Sequence, residues 1–311
     1  MGLTRPPPTT PSSRSPPTAR RAGRTDEHTL VTLVTKEPTV QHTFETPGPT
    51  SLFVEIGSGD VAVRADQESG VHVEVLGEHA DDVTVEQRGD RIVVIAPQRN
   101  SFFGRSGDLD VRITCPHDSD LATQLGSADL VATGVLGGVS LKAGSGDVDL
   151  EAANGDSRIE TGSGDIQLGL VAGDLRVKAG SGDVTVRELG GSATISTGSG
   201  DVDIDHASGD VQAKTGSGDL HVRRPEGDVV LSTASGDLTV DVMGAGQLAA
   251  KNVSGDIRVG VVGGLPVWTD VTTLTGSVSS TLAGAGQPAE GDPYLELHAK
   301  TVSGDIYLEQ R

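Results

Sequence analysis

The 311-residue chain has one cysteine, Cys115, and aromatic residues make up only 2% of it. A lone cysteine excludes an internal disulfide framework and any multi-cysteine metal site. So few aromatics argue against an ordinary globular enzyme, whose core is usually anchored by Phe, Tyr and Trp. No run approaches the roughly 18 apolar residues of a membrane-spanning helix. The phosphate-binding GxxxxGK[ST] loop, HExxH, a helix-opening GxGxxG and the GxSxG elbow are all missing. Glycine is plentiful, at 43 residues, but without the Gly-X-Y period of collagen.

Charge of one sign is also scarce. The chain has 24 basic residues against 44 acidic ones, for a net charge of −20. Residues 1–24 hold five arginines and no acid, so the rest is more acidic still. Such a body repels nucleic acid phosphates and anionic lipid, which removes nucleic acid as an expected partner. Residues 1–38 are rich in Pro, Ser, Thr and Arg, lack an apolar period, and read as a disordered head. The head has no 7–15-residue apolar stretch of a secretory leader, so the chain as written is expected in the cytoplasm.

What the sequence does have is a period. From residue 144 onward, five blocks of 18 residues and one of 19 follow one another, each opening with GSGD or ASGD. Asp147, Asp165, Asp183, Asp201, Asp219, Asp237 and Asp256 mark the main register. Asp156, Asp174, Asp210 and Asp228 mark a half-register nine residues later, where Ser192 and Gly246 stand in for Asp. Between turns the pattern alternates, as in Val184/Val186, Val202/Ile204 and Leu220/Val222, which places each pair on one face of a strand.

Nine residues leave about five for a strand and four for a turn. The fold class is therefore all-β: a single-chain parallel β-solenoid with 18-residue coils and two strands per coil. Equivalent positions stack about 4.8 Å apart. By analogy with parallel crossover connections the coil is expected to be right-handed. Small aliphatic side chains suit the narrow core between two close sheets. Gly supplies the positive φ of each turn, Asp accepts turn N–H groups, and Thr161, Thr197, Thr215 and Thr233 stack along the same edge.

The array is expected over residues 126–258. Residues 39–125 read as irregular coils or an amino-terminal cap, and 259–311 as further coils with an insertion loop and a cap containing Trp268 and Tyr294. Outward positions stepped by 18 give Glu151, Gly169, Arg187, Asp205, Arg223 and Asp241, so Asp205 should pair with its Arg neighbours. The other face carries Arg158, Arg176, Lys178 and Lys214 and reads as basic.

The chemical candidates are few. Calcium-binding roll repeats also run at nine residues, but with a different Gly/Asp spacing. Asp201 and Asp203 are the only calcium candidates, against a turn-forming role for the repeated Asp. Asp201, Asp203 and Asp205 at i, i+2 and i+4 also resemble the carboxylates of polysaccharide-cleaving β-helices, yet the Arg neighbours favour an ion-pair ladder. His221 beside Asp203 reads as a surface partner, and Cys115 as a small buried residue. No catalytic residue, cofactor or obligatory metal is expected.

The recurrent GSGDV-x-V turns, the GLPVWTDVTTLTGSV stretch and the closing KTVSGDIYLEQR resemble the bacterial putative-adhesin family over residues 42–311. That resemblance implies a β-solenoid with an adhesive or envelope-associated role, and it brings no catalytic residues. The leading expectation is a non-enzymatic scaffold that binds a protein or an envelope component. The alternatives are a glycan-binding or glycan-cleaving β-helix and a calcium-dependent module.

Overall fold

A computed structural model describes residues 38–97, 108–284, 286 and 288–311. They lie in one unit, Glu37–Arg311. The reading of residues 1–38 as a disordered head falls, Pro38 apart, outside the described residues.

The unit is a parallel β-solenoid. Each regular coil has a first strand in what we call the front sheet and a second in the back sheet. The series runs from Val139–Ser145 and Val148–Ala153 to Gly246–Lys251 and Ile257–Val261. Front strands pair only with front strands and back with back, in parallel and in the 18-residue register: Ile159 faces Leu141 and Val177, while Ile204 faces Val186 and Val222. No helix interrupts residues 126–258, and the one 3-10 turn among the described residues lies upstream at Ala80–Asp82.

Alternation puts the aliphatic residues inside. Val184, Val186, Val202, Ile204, Leu220 and Val222 are all at most 1% exposed. Each such burial contributes roughly 1.5–3 kcal/mol. A third inward column, which alternation alone does not reveal, closes the back strands: Ala153, Val171, Leu189, Ala207 and Met243 are buried too. The core is thin enough to need no aromatic ring.

The parallel stack runs beyond residues 126–258 at both ends. Ser51–Gln67 is one unbroken strand that passes through both sheets and pairs along Asp120–Leu136 from Ser51 to Ala65. Its other side pairs in parallel with Arg91–Ile95 and Leu109–Pro116. Antiparallel strands then close this end, Thr84–Arg88 on the front and Val71–Leu76 with Thr39–Phe44 on the back.

Order in space departs from order in sequence at each end. The first parallel coil, Ser51–Gln67, lies second in the stack, between the strands Arg91–Ile95 and Leu109–Pro116 on one side and Asp120–Leu136 on the other. The last coil, Leu295–Ser303 and Ile306–Gln310, lies second from the end. It is inserted between Gly246–Val261 and the outermost strands, Val267–Thr275 and Val278–Ser280. Both coils are thereby gripped on two sides. Of the two bulky residues at this end, Trp268 lies on the outermost strand Val267–Thr275 and Tyr294 directly before Leu295–Ser303, and both rings stand about half exposed.

Candidate binding faces

The solenoid presents two turn edges and two broad faces, and its repeated residues divide among them. At the GSGD edge the strand turns through a glycine with positive φ, +117° at Gly182. A Cβ there would also lie 2.1 Å from the Gly164 carbonyl oxygen of the coil below, so stacking and backbone geometry both demand glycine.

The Asp that follows bonds to the neighbouring coil and not within its own turn, a correction to the expected geometry. Its carboxylate accepts the backbone N–H of the equivalent Asp one coil on. The chain of bonds runs unbroken from Asp129 to Asp256 at 2.7–2.9 Å. It continues to the Asp305 N–H and then to the Ser277 N–H, following the swapped order of the last coils. Bending at the turn leaves that N–H outside the strand ladder, and the carboxylate satisfies it. The opposite edge repeats the device through Asp120, Asp156, Asp174, Asp210 and Asp228. Thr161, Thr197, Thr215 and Thr233 are buried at the GSGD edge and each donates to a Ser carbonyl two residues on.

The back sheet carries charges of both signs. Arg223 donates two hydrogen bonds to Asp203, at 2.6 and 2.8 Å, and also pairs with Asp205. Bonding to Asp203 raises the guanidinium pKa further. His221 lies 3.0 Å from Asp241 and 3.6 Å from Asp203. The expected Asp205–Arg223 contact is present, whereas Arg187 reaches over the bare backbone of Gly169. Asp201 belongs to the edge ladder, bonding the Asp219 N–H, and Asp203 belongs to the Arg223 pair. Each of the two calcium candidates thus has a partner of its own. Among the described residues no group of three or more His, Cys, Asp or Glu side chains is arranged to hold a metal ion.

The front sheet carries Lys142, Arg158, Glu160, Arg176, Lys178, Lys214 and Lys251 on its outer side. Glu160 is its one acid over these coils and is bound by Arg158, which lowers its pKa. At the carboxyl end of this face lies a cluster that sequence reasoning did not assemble. Lys300 is 2.8 Å from Asp270, His298 lies 3.4 Å from Asp270 and 3.0 Å from Glu296, and Trp268 meets His298 edge-on at 5.2 Å. Bonding to Lys300, then to His298, lowers the Asp270 pKa. The single Trp and the spacing of Glu296, His298 and Lys300 are signals in the sequence. Their meeting with Asp270 depends on the inserted last coil.

Cys115 is fully buried in the core, and burial pushes its thiol pKa up to about 12. It is a packing residue. No helix among the described residues is long and apolar enough to cross a membrane.

No curated protein matches the sequence. Among solved structures, a putative adhesin from Bacteroides fragilis is 10% identical, with 87% of this chain and 97% of that chain covered and a TM-score of 0.33. A putative cell adhesion protein from Clostridium sporogenes is 12% identical, with 89% and 100% covered and a TM-score of 0.24. A putative lipid binding protein from Parabacteroides distasonis is 9% identical, with 86% and 96% covered and a TM-score of 0.30. Superpositions that loose carry neither fold nor function across. The family model is more direct: Toastrack DUF4097, a domain of unknown function, matches residues 50–309, which take in the whole stack of parallel coils, and the chain belongs to that family.

Proposed function

We propose that the protein is a non-enzymatic scaffold of adhesin type, a rigid β-solenoid that binds a partner along its lateral faces. The observation that carries this reading is how the carboxylates are used. The edge acids hold backbone N–H groups of neighbouring coils, and Asp203 and Asp205 hold Arg223. A glycan-cleaving helix needs a pair of carboxylates free to act on a bond, one as acid and one as base or nucleophile. The long, regular faces instead offer repeated, rigidly spaced side chains, a geometry suited to recognition.

The test combines capture with turnover. Tagged protein is incubated with envelope and cytosolic fractions and challenged with excess untagged protein, while soluble polysaccharides are assayed for new reducing ends. A saturable partner displaced by untagged protein, with no bond cleavage, is the expected result. Release of reducing ends that depends on Asp203 or Asp205 would overturn the reading.

A further inference from the structure

The front sheet carries cations that the fold does not use. Strand pairing places Lys142, Glu160, Lys178, Ser196, Lys214, Ser232 and Lys251 in one outward column, in that order. Lysine therefore recurs on every second coil, four times, at a spacing of about 9.6 Å, twice the separation of neighbouring strands. All four lysines are exposed. Among the described residues none of the four lies within ion-pair distance of an acid, although Lys142 and Lys178 flank Glu160 and help to lower its pKa. Two arginines of the back sheet do find acids: Arg223 pairs with Asp203 and Asp205, and Arg258 with Asp237 and Asp256.

Repulsion explains part of this pattern. Lysines on adjacent strands would stand about 4.8 Å apart, so skipping a coil relieves like-charge contact. Of the three skipped positions one holds Glu160, which Arg158 binds, and repulsion does not explain why Ser196 and Ser232 fill the other two in a chain with 44 acids. An acid there would neutralise the row, as Asp205 does beside Arg223. From Lys178 to Lys251 the column carries no acid between its lysines.

We propose that this row is a track for a linear acidic polysaccharide bearing one carboxylate or sulfate per disaccharide. The two-coil spacing matches the repeat of such a chain in extended form, so successive acidic groups meet Lys142, Lys178, Lys214 and Lys251. Four modest contacts on one chain add through multivalency, and the strands beneath them are already ordered. The ground between the lysines is low: Ala143, Thr161, Gly162, Ala179 and Gly180 line a shallow depression of about 460 Å³ between Lys142 and Lys178, with Glu160, held by Arg158, between the two lysines. At the far end the alternation stops: Lys300 stands on the strand directly beyond Lys251, with its charge paired to Asp270.

The turn edges set the width of the track. Along one coil, Asp156 lies four residues before the lysine column and Asp165 five after it, about 13 and 16 Å away along an extended strand. Both distances exceed the screening length of about 8 Å at physiological salt, so the edge acids leave the local attraction intact. A broad anionic body resting on the sheet would meet both acidic edges. A DNA duplex, with one charge per about 1.7 Å of axis, is also far too dense for the row. Charge in place of ring stacking also fits a face whose regular coils carry no aromatic side chain.

This proposal rests on the scaffold reading and names the partner of one face. Its test is a calorimetric titration of the full chain with hyaluronan oligosaccharides long enough to span the four lysines. Dextran serves as the neutral control and a DNA duplex as the dense polyanion. Hyaluronan should bind with an affinity that falls steeply with salt, and dextran and DNA should not compete. The variant K142Q/K178Q/K214Q/K251Q should lose at least about tenfold in affinity, or about 1.4 kcal/mol, while melting as the wild type does. If that variant does not fold, K178Q/K214Q provides the same comparison, and Lys→Arg at the same two positions should retain binding. No binding at low salt, equal binding by the variants, or DNA binding as tightly as hyaluronan would each overturn the track. Hyaluronan that binds and is cut would overturn the scaffold reading and leave the track standing.

Discussion

The carboxylate of Asp183 accepts the backbone N–H of Asp201 at 2.8 Å, one full coil further along the chain. The same carboxylate position recurs through the stack, so the repeated Asp fastens each coil to the next. Asp183→Ala removes one fastener and should cost about 1 kcal/mol, since water can reach the freed N–H at this exposed edge. Asp183→Asn keeps an acceptor oxygen and should cost less. Urea denaturation of both variants checks the order, and equal losses would count against the bond.

Gly182 combines a φ of +117° with a neighbouring carbonyl 2.1 Å from the position of an added Cβ. Gly182→Ala should therefore destabilise by at least about 2 kcal/mol. Gly244 has nothing within 4 Å of the same position and no positive φ, so Gly244→Ala should stay within about 0.5 kcal/mol of wild type. Thermal denaturation of the pair separates the demand of stacking from the general cost of losing glycine.

Acid should loosen the outermost coil. The Ser277 backbone N–H, then its hydroxyl, and Tyr307 hold the Asp305 carboxyl below its ordinary pKa of 3.8. A lowered pKa in the folded state adds stability that is present above the unfolded value and lost as pH falls through the folded one. The difference in melting temperature between wild type and Asp305→Asn should be constant above about pH 5 and shrink below 3.8. A difference that persists undiminished to the lowest pH at which both fold would assign the effect to packing.

Cys115 should be inert. With its thiol pKa raised to about 12 by burial, the native protein should resist alkylation at pH 8, and unfolding in urea should expose a reactive thiol. Rapid modification of the folded protein would place Cys115 outside the core.

Much of this architecture is legible in the chain because each regular coil restates the same instructions. The step of 18 residues from Asp183 to Asp201 gives the register, and the alternation of Val184 and Val186 gives the inward face. Two things resist such a reading. Spacing alone does not distinguish an Asp bonding within its turn from one bonding to the next coil, because both demand the same column. Nor does local pattern reveal that Leu295–Ser303 enters between two earlier coils, a choice made by long-range pairing. The Trp268, Asp270 and His298 cluster follows from that choice and was hidden with it. The lysine column was half visible, as Lys178 and Lys214, and its full extent needed the one-residue shift of the 19-residue coil to place Lys251.

The amide of Asp201 is the most direct probe of whether the repeated acids hold the coils together. In wild type its exchange with solvent deuterium, followed by NMR, should be slow for a residue at an exposed turn, because the Asp183 carboxylate holds it. In Asp183→Ala it should speed up by about tenfold, the equivalent of a lost bond of about 1.4 kcal/mol, while the Val202 amide, bonded to the Asp219 carbonyl, stays protected. An Asp201 amide that exchanges freely in wild type, or at the same rate in the variant, would contradict the view that the repeated acids hold the coils together.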